Sequence, residues 1–422
     1  MLLIKNGFVC TGETEPKKQD LLIEDGKIVE IACEIKGSPE TQVINAGNLF
    51  VAPGLVDMHV HLRDPGFEYK EDINSGAEAA AAGGMTTIIC MPNTNPPIDN
   101  PDTINYVTDK AKTAPVNILT CAAVTKGQCG EELTDFAVSK KHGAIALSDD
   151  GNPIQNAALM RKAMIDAKKQ DLLIICHCED AELVQNHGVN EGKISQKLAI
   201  PGRPAIAEEI MVARDVMLAA ETGARVHIAH VSAKGSVEII RQAKKAGVKV
   251  TAETAPQYFT LTEDEILKQG SLARVNPPLR TKADNDAIIE GLKDGTLDMI
   301  ATDHAPHSMN EKMLPITEAM SGLIGLETSL ALALTYLYHT GILSINDVIK
   351  LMSVNPARIL GINAGRLQIS ETADIVIFDP NEKWTVDPLD FKSKARNTPF
   401  NGMELKGKVK YTICKGKIVY HS

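Results

Sequence analysis

Aromatic side chains are scarce in this chain: 8 Phe, 7 Tyr and a single Trp among 422 residues, or 4%. Ala, Ile, Leu and Val must therefore fill the core. Basic charge is also in deficit. Lys plus Arg number 44 against 54 Asp plus Glu, a net charge of −10, so no cationic surplus exists to neutralise phosphates, which argues against a nucleic-acid binder. No apolar run approaches the roughly 20 residues of a membrane span. Lys5 and Asn6 interrupt the apolar N-terminus, so neither a membrane segment nor a signal peptide is expected. None of the eight cysteines, at positions 10, 33, 90, 121, 129, 176, 178 and 414, forms a CxxC pair. Buried free thiols in a reducing cytoplasm are the expectation. There is no GxGxxG after the first strand and no Walker A sequence, which weighs against a nucleotide-binding open sheet. No solenoid period or low-complexity tract stands out.

What is present is an ordinary globular composition, 44% apolar and 23% charged, which argues against disorder. Both ends read as strands. Leu2–Cys10, Leu21–Ile31 and Gln42–Val51 lie at the start, and Ala373–Phe378, Lys408–Cys414 and Lys417–His421 at the end. Asp25-Gly26-Lys27-Ile28-Val29 is echoed by Lys415-Gly416-Lys417-Ile418-Val419, and each carries a hairpin-turn signal. One small β domain built from both termini is expected; two unrelated extensions are the alternative. Between them, eight short β-branched runs alternate with helical patterns: Leu55–Val60, Thr86–Met91, Asn117–Ala122, Ala144–Ser148, Leu172–His177, Val226–Val231, Val248–Glu253 and Leu297–Thr302. That alternation implies parallel βαβ units, and eight of them fit an α/β chain with a (β/α)8 barrel. A doubly wound open sheet competes. The expected division is 1–52 and 361–422 in the terminal β domain and 53–360 in the barrel.

Barrel active sites are built at the C-terminal ends of the strands. Strand one ends in His59-Val60-His61, and residues two apart on a strand share a face. A lone His-x-His is a weak signal. However, strand four ends in Asp149-Asp150, strand five in His177, strand six in His230 and strand eight in Asp303. Nitrogen and oxygen ligands without thiolate suit a catalytic zinc or similar divalent ion. The same alternation turns Cys176 and Cys178 away from His177, and it puts His227 on the opposite face from His230, as a satisfied buried histidine. His304 has the same parity problem beside Asp303. His142, His187, His339 and His421 lie in helical or surface contexts. Asp149-Asp150 could instead be a turn into Gly151, and alternation leaves open which of the two faces a metal.

Asp57-Met58-His59-Val60-His61-Leu62-Arg63-Asp64-Pro65-Gly66 resembles the first signature of the dihydroorotases, and Ala301-Thr302-Asp303-His304-Ala305-Pro306-His307-Ser308-Met309-Asn310-Glu311-Lys312 resembles the second. Met91-Pro92-Asn93-Thr94 and Asn276-Pro277-Pro278-Leu279-Arg280 are similar to two further family segments. The resemblance covers nearly the whole chain. It implies the amidohydrolase fold, a distorted (β/α)8 TIM-type barrel with a small β-sandwich formed by both termini. It implies that His59 and His61 bind the more buried metal and His177 and His230 the second, with Asp303 touching the first metal as general acid/base. Many amidohydrolases bridge the metals with a carboxylated lysine from strand four. Here Ala146-Leu147-Ser148-Asp149-Asp150 has none, which resembles the dihydroorotase class that uses aspartate, matched to Asp150. The cofactor implied is Zn2+, one or two per chain with two favoured.

The implied reaction is the reversible closure of N-carbamoyl-L-aspartate to L-dihydroorotate and water in de novo pyrimidine biosynthesis, with a metal-bound hydroxide as nucleophile in the hydrolytic direction. Arg63, Asn93 and His307 would hold the substrate carboxylate, beside His61. Asn276 and the backbone near Ser321 and Gly322 would contact the amide edges of the ring. Arg63 could instead form a surface ion pair with Asp64 or Glu68, and His307 could orient Asp303. The stretch 306–322 reads as a lid over the substrate or as a plain surface loop. The connection 187–204 carries no role beyond a possible partner contact. A cytoplasmic homo-oligomer, with a dimer favoured and association with aspartate transcarbamoylase conceivable, is the implied assembly. The competing activities are another cyclic-amide hydrolase such as an allantoinase, and a catalytically silent dihydroorotase-like scaffold. Absence of the strand-four lysine argues against the first, and retention of every ligand position against the second.

Overall fold

The computed structural model describes residues 1–184 and 188–422. His187 lies outside the described residues. Sixteen strands are assigned among them: β1 (Leu2–Val9), β2 (Lys17–Glu24), β3 (Lys27–Ala32), β4 (Gln42–Asn45), β5 (Phe50–Pro53), β6 (Leu55–Val60), β7 (Met85–Cys90), β8 (Asn117–Ala122), β9 (Ala144–Ser148), β10 (Leu173–Cys176), β11 (Val226–Ile228), β12 (Val250–Thr254), β13 (Met299–Ile300), β14 (Ile375–Thr385), β15 (Glu404–Cys414) and β16 (Lys417–His421).

Both termini enter one sheet, in the order β16-β15-β14-β5-β1-β2-β3, with β4 also paired to β1. The halves meet where β5 runs antiparallel to β14, with Ala52 opposite Val376 and Phe50 opposite Phe378. The sheet has its own core, in which Leu21, Ile23 and Ile28 from the N-terminal half pack with Ile375, Ile377 and Ile413 from the C-terminal half. The echoed segments noted above are the two hairpin turns. Asp25 and Gly26, like Lys415 and Gly416, hold positive φ, as a two-residue turn between right-twisted strands requires. The turns also touch. A Cβ on Gly416 would lie 2.6 Å from Cα of Gly26, so only glycine permits this approach.

Strands β6 to β13 are hydrogen-bonded in sequence order, all parallel. The ring closes at the end of β6, where Val60 bridges His304 and the His61 N–H donates to the His304 carbonyl at 2.9 Å. Beneath this closure the Asp57 carboxylate accepts from the Thr302 N–H and hydroxyl and from the His59 N–H. Burial lifts the Asp57 carboxyl to about 7. Small and medium side chains fill the barrel, among them Val56, Met58, Ile89, Ala146, Ile175 and Met299. The scarcity of aromatics is consistent with this filling. Helices such as Ile73–Ala82, Ala157–Lys169, Ile206–Thr222, Lys234–Lys245 and Lys282–Lys293 cover the outside, packing Ala80, Ala163, Val212, Ile240 and Ile288 into the outer core. No described helix is long and apolar enough to cross a membrane.

Two departures from regular alternation shape the mouth of the barrel. The register of β6 shifts between Asp57 and Val60, an irregularity that re-aims side chains. Strands six and eight are shorter than their apolar runs. Each ends before a residue in the left-handed region, His230 at φ 34° and Asp303 at φ 49°. Such values are uncommon outside glycine.

Candidate metal centre and its cavity

The residues at the strand ends converge on one carboxylate. Asp150 lies 3.4 Å from Nε2 of His59 and 3.6 Å from Nε2 of His61, 3.5 Å from Nδ1 of His177 and 3.4 Å from Nε2 of His230. Two triplets can each hold an ion, His59–His61–Asp150 and Asp150–His177–His230, and Asp150 belongs to both. Asp303 adds an oxygen 3.1 Å from Nε2 of His61 and 3.7 Å from Nε2 of His59. The donor set fits a divalent ion on a local observation as well. Nε2 of His59 and Oδ1 of Asp150 are buried without a hydrogen-bond partner, an arrangement that is costly unless something else satisfies them.

Electrostatics point the same way. Burial would raise the Asp150 carboxyl, but His59, then His177 and His230, outweigh it and hold the group well below its usual range. Burial would lower His59 and His177, yet Asp150 with Glu253 lifts the first well above normal, and Asp150 with Glu179 lifts the second to about 10. The site therefore demands positive charge at its centre.

The choice between the two aspartates is made by strand geometry. Asp150 shares the inward parity of Ala146 on β9. Asp149 turns to the end of β8, where it accepts the Val124 N–H at 2.8 Å, the Thr125 N–H at 3.1 Å and the Thr125 hydroxyl. Cys176 and Cys178 face the outer core, as alternation requires. His304 also points outward, its Nδ1 accepting from the Gly325 N–H at 3.2 Å. His227 corrects the parity argument. It is a satisfied buried histidine, but it is not turned away from the histidines around Asp150. Its Nε2 lies 3.1 Å from Glu253, the carboxylate that also receives His59. The left-handed turn at His230 breaks the alternation on which the opposite-face expectation relied.

Each histidine is oriented by a partner on its other nitrogen where one is present. Nδ1 of His59 meets Glu253 at 2.7 Å, Nδ1 of His61 meets Oδ1 of Asn93 at 2.8 Å, and Nε2 of His177 lies 3.6 Å from Glu179. Nδ1 of His230 has no partner among the described residues. Such outer carboxylates and amides fix the tautomer and ring orientation of a ligand histidine. Glu253 and Glu179 were not singled out from the sequence. The available signal was that Glu253 stands near the end of the seventh strand run, where the barrel rule looks for functional residues.

Above the cluster lies a cavity of about 610 Å³ that reaches His61, Arg63, Asn93, Asn276, Asp303 and His307, with Ser321 and Gly322 on its wall. His59 is sealed beneath it. Arg63, at φ 61°, gives its Nε to the Pro306 carbonyl at 3.1 Å. The ion pair with Asp64 or Glu68 does not form. Asp64 is taken by Lys110 at 2.9 Å and by the Tyr106 hydroxyl at 2.8 Å. Burial lowers the Arg63 guanidinium to about 10, so it stays charged at neutral pH. His307 is held neutral by burial and by Arg63, Lys70 and Lys312. Its Nδ1 faces the Lys70 ammonium at 3.5 Å, so Nε2 carries the proton and donates to the Ser321 carbonyl at 2.9 Å. Asn93, accepting from His61, must turn its amide nitrogen toward the cavity.

The stretch 306–322 is an anchored wall. Lys312 is fully buried, and its ammonium donates to the carbonyls of Arg274, Met320 and Gly322 at 2.9–3.0 Å. Gly322 at φ 137° packs so closely that a Cβ would lie 2.7 Å from that of Ala305. Its N–H goes to the Arg274 carbonyl at 3.0 Å. The Ser321 N–H has no partner among the described residues.

Comparison with known proteins is consistent with this geometry. The profile of the family described as "Dihydro-orotase-like" matches residues 47–236. A protein of Clostridioides difficile named dihydroorotase is 52% identical over the full length of both chains. Another of that name, from Ruminiclostridium cellulolyticum, is 50% identical over 98% of this chain and 97% of its own. Among solved structures, an L-hydantoinase (dihydropyrimidinase) from Arthrobacter aurescens superposes with a TM-score of 0.89 at 27% identity, covering all of this chain and 96% of that one. The dihydropyrimidinase of Brevibacillus agri gives 0.88 at 25% identity, over 99% of this chain and 95% of its own.

Proposed function

The chain belongs to the dihydroorotase family, and from that premise we propose that it interconverts N-carbamoyl-L-aspartate and L-dihydroorotate plus water, a step of de novo pyrimidine biosynthesis. The observation that carries the reading is Asp150, one buried carboxylate within 3.6 Å of four histidine nitrogens, beneath a cavity that also holds Arg63 and Asp303. In this proposal His59, His61, Asp150 and Asp303 hold one zinc ion, and Asp150, His177 and His230 a second. A bound divalent ion of this kind supplies Lewis acidity toward an amide carbonyl and activation of water near neutral pH.

The chain's own residues do the rest. In the hydrolytic direction, Asp303 takes a proton from the attacking water and returns it to the ring nitrogen as the amide bond breaks. In cyclisation the same carboxyl works in reverse. Proton transfer of this kind is worth about 10²–10⁴-fold in rate. Arg63 receives the substrate carboxylate through its guanidinium, which no carboxylate among the described residues pairs with, and the Asn93 amide nitrogen joins it. His307 supports this subsite by holding the Ser321 carbonyl, which leaves the Ser321 N–H for an amide oxygen of the ring. Asn276 donates from the opposite wall. The anchored wall 306–322, with Gly322 packed against Ala305, limits water around the reacting bond.

The proposal extends to a cytoplasmic protein, which its eight free thiols, six of them buried, support. It also extends to a homodimer. The helix Ile206–Thr222 exposes Ile206, Ile210 and Met217, spaced to share one side. The central experiment assays dihydroorotate, allantoin and hydantoin side by side, with the metal content of the same sample measured. Turnover of dihydroorotate alone is expected. Asp303→Asn should remain folded and metal-loaded while losing turnover; near-normal activity in such a sample would exclude the acid/base role.

A further inference from the structure

The stretch 188–204 sends one charged side chain into the cavity, that of Arg203. Its backbone is clamped. The Arg203 N–H donates to the Val189 carbonyl at 2.8 Å, and its own carbonyl accepts from the Glu191 N–H at 3.0 Å and from Arg280 at 2.8 Å. Arg280 in turn holds Asn190 at 2.8 Å and Ser232 at 3.2 Å. The buried guanidinium of Arg203 therefore has little freedom. One of its nitrogens donates both to Glu179, at 2.8 Å, and to Oδ1 of Asn276.

This double contact has a chemical consequence. An asparagine amide can present either its oxygen or its nitrogen, but a guanidinium carries donors only. Arg203 must therefore face Oδ1, which leaves Nδ2 of Asn276 on the other side, 3.4 Å from Nε2 of His177 and 3.4 Å from Glu179. The reversed amide would set its oxygen against the Glu179 carboxylate.

We infer that Arg203 is a specificity-determining positioning residue. It locks the Asn276 amide as a donor, so that this wall recognises an oxygen of the substrate's ureido group and disfavours a ligand that presents an N–H there. The inference rests on the reading that Asn276 contacts the substrate, and the experiment separates the two. The holoenzyme variants Asn276→Ala, Arg203→Met and the double variant are compared in dihydroorotate hydrolysis, with kcat and KM resolved and metal content measured. Asn276→Ala is expected to lower kcat/KM, and Arg203→Met to lower it by about 10–100-fold, the loss typical of a charged hydrogen bond. Metal content should be unchanged. In the Asn276→Ala background the Arg203 substitution should cost less than about threefold, because the residue acts through the amide.

Wild-type kinetics for Asn276→Ala would sink the substrate-contact reading and this inference with it. A damaged Asn276→Ala beside an unimpaired Arg203→Met, or full additivity in the double variant, would overturn the inference alone. Should Arg203→Met fold poorly, Arg203→Lys serves instead. It keeps a donor-only cation, so it must lose less than Asn276→Ala does; an equal or greater loss with normal metal content counts against the lock.

Discussion

Oε1 of Glu253 lies 2.7 Å from Nδ1 of His59, although 194 residues separate the two in sequence. The carboxylate is fully enclosed, and its second oxygen is braced by His227, which in turn meets the Thr251 hydroxyl at 2.8 Å. Glu253 therefore holds a proton on Nδ1 of His59 and turns Nε2 toward Asp150, the nitrogen whose lone pair an ion between the two would take. Replacing it by Gln keeps the shape and removes the charge. Glu253→Gln should weaken metal affinity by about 10–100-fold, the usual effect of losing such an outer partner. Chelator competition on the purified protein measures it, and unchanged affinity would mean that His59 needs no such support.

Metal uptake should also depend on pH. His177 is lifted to about 10 and His59 well above its normal value, so both are protonated near neutrality until an ion displaces the protons. Apparent affinity should therefore rise with pH from 6 to 8. The same shift predicts a stability trend for chelated protein. A histidine whose folded pKa is raised stabilises the fold fully below about 6.5, its unfolded value, and loses that contribution as pH rises through about 10. Thermal unfolding of chelated protein should fall across that window. A flat profile would argue that the imidazoles are neutral.

Arg63 has no carboxylate partner of its own among the described residues, and it stands in the cavity beside His307. Its truncation should strike recognition of the anionic substrate. Arg63→Met is expected to lower kcat/KM by about 10–150-fold, the loss of one charged hydrogen-bonding group. Unchanged kinetics on both substrates would remove Arg63 from the site.

Gly322→Ala tests the wall. At φ 137° an L-residue is strained, and the added Cβ would meet both Cβ and the carbonyl oxygen of Ala305, at 2.7 and 2.9 Å. Strain of this kind costs of order 1–3 kcal/mol, and the wall would have to shift to relieve it. The variant should stay folded, with a lowered Tm and a raised KM for dihydroorotate. A wild-type KM would show that the Ser321–Gly322 backbone does not touch the substrate.

Local pattern made much of this molecule readable. The eight apolar runs, the two hairpin turns and the His59-x-His61 pair depend on neighbours a few residues apart, so periodicity and turn chemistry expose them. Asp150 was reached through its family match, while alternation alone left Asp149 open. What stayed hidden has a common cause. His227 keeps the inward parity of Ala229, and it is His230 that its own left-handed backbone, with φ 34°, brings to the same side, a turn that no side-chain pattern announces. The placement of Arg203 depends on Arg280, which reaches back 77 residues to its carbonyl.

The scarcity of aromatics thus determined an aliphatic core, the alternation of strands with helices a barrel, and the His and Asp residues at the strand ends a candidate centre at its mouth. These are averages and short-range periodicities, which a chain carries in its order of residues. Only the tertiary structure decided which nitrogen of each histidine faces Asp150, that Glu253 and Glu179 stand behind two of them, and that Arg63 is left without a carboxylate. Those outcomes turn on a register shift in β6 and left-handed residues at two strand ends. They also turn on hydrogen bonds between segments that meet only when the barrel closes.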